Sequence, residues 1–179
     1  MDTKRLTAAG LAALALFGCA AVPSGTDRTL AARVAELEAR EEIRAILVDY
    51  GRFLDAGDFE GYVGLFAADG AWVGGFGTFE GRDAIRGMLE DNMTPGPRER
   101  LTSLHLVSNE IIEVEGESAR AVSKWFFIAP DADGRPSFAF AGRYEDDFVR
   151  EGGSWRIARR VALGDIPFND PRAEQAAAP

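Results

Sequence analysis

The chain reads Tyr50–Gly51–Arg52–Phe53–Leu54–Asp55–Ala56–Gly57–Asp58–Phe59 at the junction between two predicted helices. Apolar residues that lead into this segment recur at helical spacing and predict a helix from Leu30 to Ala56. They are Ile43, Ile46, Leu47, Tyr50, Phe53 and Leu54. Gly57 suits the left-handed conformation that ends a helix, and Asp58 suits the cap of the next one. The predicted second helix carries Phe59, Tyr62, Val63 and Phe66.

A short hairpin over residues 71–80 and a third helix are predicted to follow. That helix begins at Gly81 and places Ala84, Ile85, Met88 and Leu89 on one face. Four strand-like runs separated by glycine-containing turns complete the pattern: Leu101–Val114, Ala119–Ala129, Ser137–Val149 and Trp155–Leu163. Helices followed by antiparallel strands are typical of an α+β fold. We predict a curved antiparallel sheet wrapped around the long N-terminal helix and two shorter helices, which together form a cone with a pocket.

The first residues have the pattern of an export signal. Lys4 and Arg5 precede an uncharged apolar run of twelve residues, Leu6–Phe17, which is too short to span a bilayer. Leu16–Phe17–Gly18–Cys19 resembles the lipobox of bacterial lipoproteins. We therefore predict a lipoprotein signal peptide at 1–18 and a lipidated Cys19. The alternative is an ordinary signal peptide, cut after Ala20 or Ala21, that releases a soluble periplasmic or secreted protein.

The predicted mature chain has one domain. A tether at 19–29 precedes a domain at 30–165, and a flexible tail rich in Pro and Ala occupies 166–179. With the anchor, we expect the protein in the bacterial envelope, on the periplasmic side of the outer membrane. Ala20, next to the cysteine, favours this sorting.

Composition excludes several classes of partner. The chain has a net charge of −9, and removal of residues 1–18, with two basic and one acidic side chain, leaves −10. Such an acidic chain is a poor ligand for nucleic acid or anionic lipid, so membrane attachment would depend on the anchor alone. One His and one Cys offer too few soft ligands for a transition-metal site, and a single cysteine excludes an internal disulfide. We predict no cofactor and no metal.

Several segments together resemble the SnoaL-like branch of the nuclear transport factor two superfamily. They are Tyr50–Trp72, Gly77–Ile85, Leu104–Asn109 and Gly153–Ile157. This resemblance covers about residues 30–163 and implies the cone fold. It also implies a site, because in scytalone dehydratase and in the dehydrochlorinase of hexachlorocyclohexane an aspartate at the end of the first helix pairs with a strand histidine. Asp55 and His105 match those positions.

The resemblance also assigns a supporting residue. Tyr50 matches the tyrosine of ketosteroid isomerase that donates a hydrogen bond to the developing oxyanion. The aspartate base of that isomerase falls on Gly74, which makes the steroid-isomerase mechanism improbable here. Helical periodicity alone places Asp55 about 140° from Tyr50, at the edge of the buried stripe. His105 alternates with Leu104 and Leu106, so it points away from whatever those leucines face.

Each candidate has a structural alternative. A buried strand histidine is often only a packed residue, and Tyr50 fits plain core packing. Asp146 and Asp147 fit a solvated strand edge. Large aromatic residues are mostly core by composition, but some are expected to line the pocket of the cone. The predicted pocket residues are Phe53, Phe66, Trp72, Trp125, Phe127 and Tyr144.

The function predicted from these residues is that of a cofactor-free lyase, dehydratase or isomerase acting on a small apolar or polycyclic molecule. His105 would take a proton, Asp55 would orient the imidazole and Tyr50 would support negative charge. Two alternatives stay open: an envelope lipoprotein that binds a small apolar molecule without catalysis, and an envelope scaffolding domain. By resemblance, we expect a homodimer that associates through the sheet.

Overall fold

The computed structural model describes residues 25–93 and 103–166, with side chains from residue 29 onward. The predicted signal peptide, the lipidation of Cys19, most of the tether and most of the tail lie outside the described residues. Within the described ranges, no helix is long and apolar enough to cross a membrane.

The described residues form three helices and six strands. The helices are α1 (Gly25–Ala56), α2 (Phe59–Gly64) and α3 (Arg82–Met93). The strands are β1 (Phe66–Gly74), β2 (Gly77–Glu80), β3 (Leu104–Glu115), β4 (Ser118–Pro130), β5 (Pro136–Glu151) and β6 (Ser154–Ile166). They form one sheet in the order β2-β1-β6-β5-β4-β3. The predicted α+β fold, with a sheet wrapped around a long N-terminal helix, is confirmed.

One strand pair departs from the antiparallel prediction. β1 and β6 run parallel, and all other neighbours in the sheet run antiparallel. A parallel pair needs a long crossover connection, which here consists of β2, α3, β3, β4 and β5. The consequence is that β6, the last strand, lies inside the sheet between β1 and β5.

Helix α1 fills the concave side of the sheet. It begins at Gly25, five residues before the predicted start, and its first buried residue is Ala39. The predicted apolar stripe is buried, except that Phe53 is only partly covered. Gly57 adopts a positive φ of 67° and ends the helix, and the Asp58 side chain accepts a hydrogen bond from the N–H of Gly61 at 2.8 Å. Both predicted signals at this junction are confirmed.

Two residues lie elsewhere than predicted. Phe66 was assigned to the second helix, but α2 ends at Gly64 and Phe66 opens β1, opposite Ile157 of β6. An apolar residue fits a helix face and a buried strand equally well, so the pattern could not separate the two. Ala84 is exposed on α3, although Ile85, Met88 and Leu89 are buried as predicted.

Strand β3 contains a bulge. The pairing with β4 shifts by one residue between Ser108 and Ile111, and Asn109 has a positive φ of 53°. Asparagine is one of the few residues besides glycine that adopts this conformation readily. Because of the extra residue, Ile112 is buried and Ile111 is 66% exposed, while His105 on the other side of the bulge still faces inward.

Candidate active site

The structure brings Asp55 and His105 together. Asp55 lies at the last turn of α1 and His105 near the start of β3, and Oδ1 of the carboxylate is 2.6 Å from Nδ1 of the imidazole. The backbone N–H of His105 also donates to both carboxylate oxygens, each at 3.0 Å. The side chain of His105 is 14% exposed and that of Asp55 is 21% exposed. The carboxylate is therefore fixed by three contacts to a single residue, at the edge of the interior.

These contacts determine which nitrogen of His105 can act as a base. A carboxylate only accepts hydrogen bonds, so Nδ1 carries the proton and donates it to Asp55. Nε2, on the other side of the ring, then holds the lone pair. Asp55 also compensates positive charge that would develop on the ring when Nε2 takes a proton. This is the arrangement of an oriented general base.

Aromatic rings continue from the histidine across the sheet. His105 is paired in register with Phe127 of β4, and their ring centroids are 4.6 Å apart. Phe127 is in turn paired with Phe140 of β5, and those rings stack at 5.8 Å with an angle of 13° between their planes. Phe140 is exposed, so this row leads from the imidazole to the surface. A flat apolar molecule could pack along it.

Tyr50 belongs to a second, deeper cluster. Its hydroxyl accepts a hydrogen bond from Nε1 of Trp72 at 3.1 Å, and its ring lies 4.6 Å from Tyr62 and 5.3 Å from Tyr144. Burial, together with the neighbouring Tyr50, raises the pKa of the Tyr62 and Tyr144 hydroxyls well above the ordinary value. The hydroxyls therefore stay protonated at any physiological pH. Among the described residues, the partners of Tyr50 belong to this cluster rather than to the dyad.

A buried ion pair closes the same cluster. Nε and Nη2 of Arg160 donate to the two oxygens of Asp146, both at 2.7 Å, and both side chains are fully buried. The guanidinium carbon lies 3.8 Å from the centre of the Tyr50 ring and 4.2 Å from that of Tyr144. Burial is the largest influence on the pKa of Arg160 and lowers it, but the charge and hydrogen bonds of Asp146, together with Tyr50 and Tyr144, outweigh burial and hold the guanidinium pKa above its ordinary value. Burial raises the pKa of Asp146, and Arg160 opposes that rise.

This pair corrects the interpretation of Asp146 as a solvated strand edge. Asp146 faces inward and Asp147 outward, where it lies 3.4 Å from Arg120. Two consecutive acidic residues on a strand necessarily point to opposite faces, so one of them was bound to face the interior. Asp146 is two residues from both Tyr144 and Phe148 and therefore shares their face of the strand, and this spacing was the signal that could have identified it as inward.

The remaining predicted pocket residues occupy different depths. Trp125 stacks on Tyr144 at 5.7 Å and lies above Gly142, where any side chain would collide with the indole. Phe127 belongs to the row beside His105, whereas Trp72 and Tyr144 belong to the deep cluster. Phe66 is buried in the core beside Tyr62, and Phe53 lies under the guanidinium of Arg52. Their role as pocket residues stays a prediction.

The surroundings of Gly74 leave no room for the aspartate base that ketosteroid isomerase has at the matching position. A Cβ on Gly74 would collide with the indole of Trp72, so the space that an aspartate would need is filled by this ring. Among the described side chains, no group of three His, Cys, Asp or Glu could hold a metal ion. A cavity of about 200 Å³ lies at the opposite end of β3, β4 and β5 from His105. It is lined by charged residues such as Glu113, Arg120 and Asp147, unlike the apolar pocket that was predicted.

Comparison with known proteins agrees with this geometry at the level of the family. The chain matches the SnoaL-like domain over residues 35–161. An uncharacterised protein of Mycobacterium tuberculosis is 32% identical over 139 residues, which cover 75% of this chain and 90% of that protein.

Solved structures share the fold. An NTF2-like protein with a cystatin-like fold from Novosphingobium aromaticivorans superposes with a TM-score of 0.70 at 28% identity, over 86% of this chain and 97% of its own. A provisionally assigned scytalone dehydratase from the same organism gives a TM-score of 0.59 at 24% identity, over 76% and 89% of the two chains. This second likeness shows the fold alone. From the match over residues 35–161 and the shared cone fold, the chain belongs to the SnoaL-like domain family of the NTF2-like superfamily.

Proposed function

We propose that the protein is a cofactor-free lyase or isomerase in which His105 is the general base and Asp55 its orienting carboxylate. The family includes dehydratases and isomerases. One observation supports the proposal above all others, the 2.6 Å contact between Nδ1 and the Asp55 carboxylate, which leaves the lone pair on Nε2. The substrate class we propose is a small apolar or polycyclic molecule, because the imidazole adjoins the row formed by Phe127 and Phe140.

The proton transfer balances without a cofactor. In a dehydration, Nε2 takes a proton from a carbon next to an activating group, and the electron pair of that C–H bond forms a double bond. The C–O bond at the neighbouring carbon breaks, and the departing hydroxide takes the proton back from the imidazolium to leave as water. In an isomerisation, the same proton returns to another carbon. In both cases Asp55 stabilises the transient imidazolium.

Negative charge that develops on the substrate needs a donor in the deep cluster. We assign this role to Tyr50, as the resemblance implies, with the charge of Arg160 behind it. The guanidinium carbon of Arg160 lies 3.8 Å from the centre of the Tyr50 ring. This positive charge supports the assignment, because it favours negative charge on a substrate oxygen beside the Tyr50 hydroxyl.

Substitution of the dyad tests the proposal. In His105→Gln and Asp55→Asn, turnover of a panel of dehydration and isomerisation substrates should fall by about 10²–10⁴, the usual value of general-base assistance. Asp55→Asn removes the charge and can donate to Nδ1, which selects the wrong tautomer. The matched control is Asp49→Asn, on the same helix but in an exposed pair with Arg52. Unchanged turnover in either dyad variant would rule out the mechanism.

One observation favours the alternative of a binding protein without catalysis. The Tyr50 hydroxyl already accepts from Trp72 and adjoins two tyrosines, so its capacity to serve a substrate is partly used. Native mass spectrometry of the purified protein tests this alternative. A co-purifying apolar molecule that binds equally well to His105→Gln, with no turnover by the wild type, would favour binding over catalysis.

We further propose a lipid anchor at Cys19 and a homodimer formed through the outer face of the sheet. The sequence of residues 1–19 supports the anchor. The dimer is supported by three apolar side chains that the outer face leaves exposed by 53%, 47% and 73%: Leu104, Leu106 and Phe138. The mass of the intact protein extracted from membranes tests the anchor, and its mass in solution tests the dimer.

A further inference from the structure

Helix α1 and strand β3 are in backbone contact beside the dyad. At Gly51 no side chain separates the two elements, and a Cβ placed on this glycine would lie 2.6 Å from the carbonyl oxygen of His105. The same Cβ would lie 3.5 Å from the carbonyl carbon and from Cβ of His105. Glycine is a poor residue for the interior of a helix, yet this one lies in the last two turns of a 32-residue helix. Only glycine allows so close an approach.

Gly51 and Asp55 hold the same strand residue from its two sides. They are four residues apart, so they lie on the same face of α1. Asp55 accepts the N–H of His105 and the imidazole Nδ1, while Gly51 faces the carbonyl of His105. Both peptide groups that flank the Cα of His105 are therefore in contact with one helix face. This arrangement fixes the histidine relative to the carboxylate through its backbone as well as its ring.

A second contact fixes α1 on β3 further along. Nε of Arg44 donates to Glu110 at 2.7 Å, next to the bulge at Asn109. The eleven residues from Arg44 to Asp55 rise about 16 Å along the helix. The five residues from His105 to Glu110 span about 16 Å along the strand. The two contacts thus lie at matching separations on antiparallel elements, which leaves the strand little freedom to slide.

We infer that Gly51 is the positioning residue of the dyad: the absence of its side chain sets the distance between Asp55 and His105. Ordinary contact with a Cβ begins at 3.4 Å, so an alanine at 51 forces β3 away from α1 by about 0.8 Å. A retreat of that size stretches the bond between Nδ1 and Asp55 from 2.6 Å to about 3.4 Å, outside the range of N–H···O hydrogen bonds. The imidazole then loses its fixed tautomer although every catalytic group is present.

The catalytic consequence rests on the proposed function, but the geometric one does not. A displacement of about 1 Å lowers a rate by roughly 10²-fold where the dyad is catalytic. The signal of the imidazole reports the same displacement without any substrate. A chain whose wild type shows no turnover but whose Gly51→Ala variant alters the imidazole would refute the proposed function and leave this inference standing.

The experiment compares Gly51→Ala with Gly87→Ala by nitrogen-detected NMR of the full chain. Gly87 is the matched control because it lies inside α3, and a Cβ there meets nothing within 4 Å in the described part of the chain. His105 is the only histidine, so its signal needs no assignment. We expect Gly51→Ala to lose the hydrogen-bonded Nδ1–H signal and to resemble Asp55→Asn, with the fold retained by circular dichroism. Gly87→Ala should keep the wild-type signal.

Two results would overturn the inference. A wild-type imidazole signal in Gly51→Ala would show that the strand absorbs the methyl group elsewhere, so that Gly51 sets no distance in the dyad. A Gly51→Ala chain that fails to fold, beside a folded Gly87→Ala chain, would show that the close approach serves the domain as a whole rather than the dyad.

Discussion

Asp55 and Asp146 each hold a basic partner, and these two pairs differ in nearly every other respect. Asp55 holds His105 at the edge of the interior, where both side chains keep some exposure, and one nitrogen of the ring remains able to exchange a proton. Asp146 holds Arg160 where neither side chain is exposed, and the guanidinium of Arg160 does not release its proton. The first pair can take part in proton transfer, whereas the second supplies a fixed charge beneath the tyrosines.

The difference shows where chemistry can occur in a cone of this size. A group that must exchange protons needs a route to solvent or substrate, which His105 has beside the exposed Phe140. A buried charge needs a partner at short distance, because its desolvation is otherwise uncompensated. The deep pair therefore contributes to the integrity of the core, and its removal should affect folding before it affects chemistry.

The largest effect is expected from breaking the deep pair. Asp146→Ala leaves the buried charge of Arg160 without a partner and should lower the free energy of unfolding by about 3–5 kcal/mol. Urea denaturation measures this loss. Asp147→Ala is the matched control, because the neighbouring carboxylate is half exposed and pairs with Arg120 at 3.4 Å. If both variants lose the same small amount, the deep pair does not stabilise the core in the way described.

A smaller effect is expected at the hydroxyl that joins the deep cluster. Tyr50→Phe keeps the ring against Arg160 but leaves Nε1 of Trp72 without its acceptor, which should cost about 1–3 kcal/mol of unfolding free energy. The NMR signal of His105 should stay unchanged, since the dyad has its own contacts. A changed imidazole signal with an unchanged free energy of unfolding would mean that Tyr50 acts on the dyad rather than on the deep cluster.

The smallest effect concerns a third pair, between Arg44 and Glu110, which faces solvent. The hydrogen bond from Arg44 holds the pKa of Glu110 below its ordinary value. Because the folded state binds this proton less readily than the unfolded chain, the pair stabilises the fold above the unfolded pKa, and that stability is lost as pH falls through the folded one. Arg44→Gln should therefore flatten the acid limb of the stability curve slightly.

The control for this comparison is Arg40→Gln, which removes an exposed pair with Glu36 one turn earlier on the same helix. Denaturant midpoints at several acidic pH values give the measurement. An acid limb that is equally steep in the wild type and in Arg44→Gln would show that other carboxylates determine it, among them Asp165, whose pKa is held down by its hydrogen bond from Lys124.

The sequence predicted the elements well because their signals are local. Gly57 and Asp58 mark the end of one helix and the cap of the next, and each does so through its own backbone or side chain. The dyad was different, since helical periodicity placed Asp55 only at the edge of the buried stripe. Its pairing with His105, fifty residues away, came from resemblance, and tertiary structure was needed to measure it.

Three features were not predicted from the sequence. The burial of Asp146 depends on which face of β5 is inward, and the pair Asp146–Asp147 gives no answer by itself. Gly51 looks like any helix glycine until the strand that it contacts is placed. The exposure of Ile111 and burial of Ile112 depend on an extra residue in β3, whereas an alternating pattern carries no mark of such an insertion.

That extra residue decides which face of β3 carries His105, because side chains on a strand alternate between the two faces. His105 and Ile112 are seven apart, an odd separation that would put them on opposite faces of a regular strand, and the bulge at Asn109 restores them to the same face. A regular strand that kept every residue from His105 to Ile112 would have to place either the histidine or the isoleucine on the outer face. A relative that lacks the extra residue has these two positions six apart, on one face of a regular strand, so an alignment assigns the inward residues correctly only when its gap falls at the bulge.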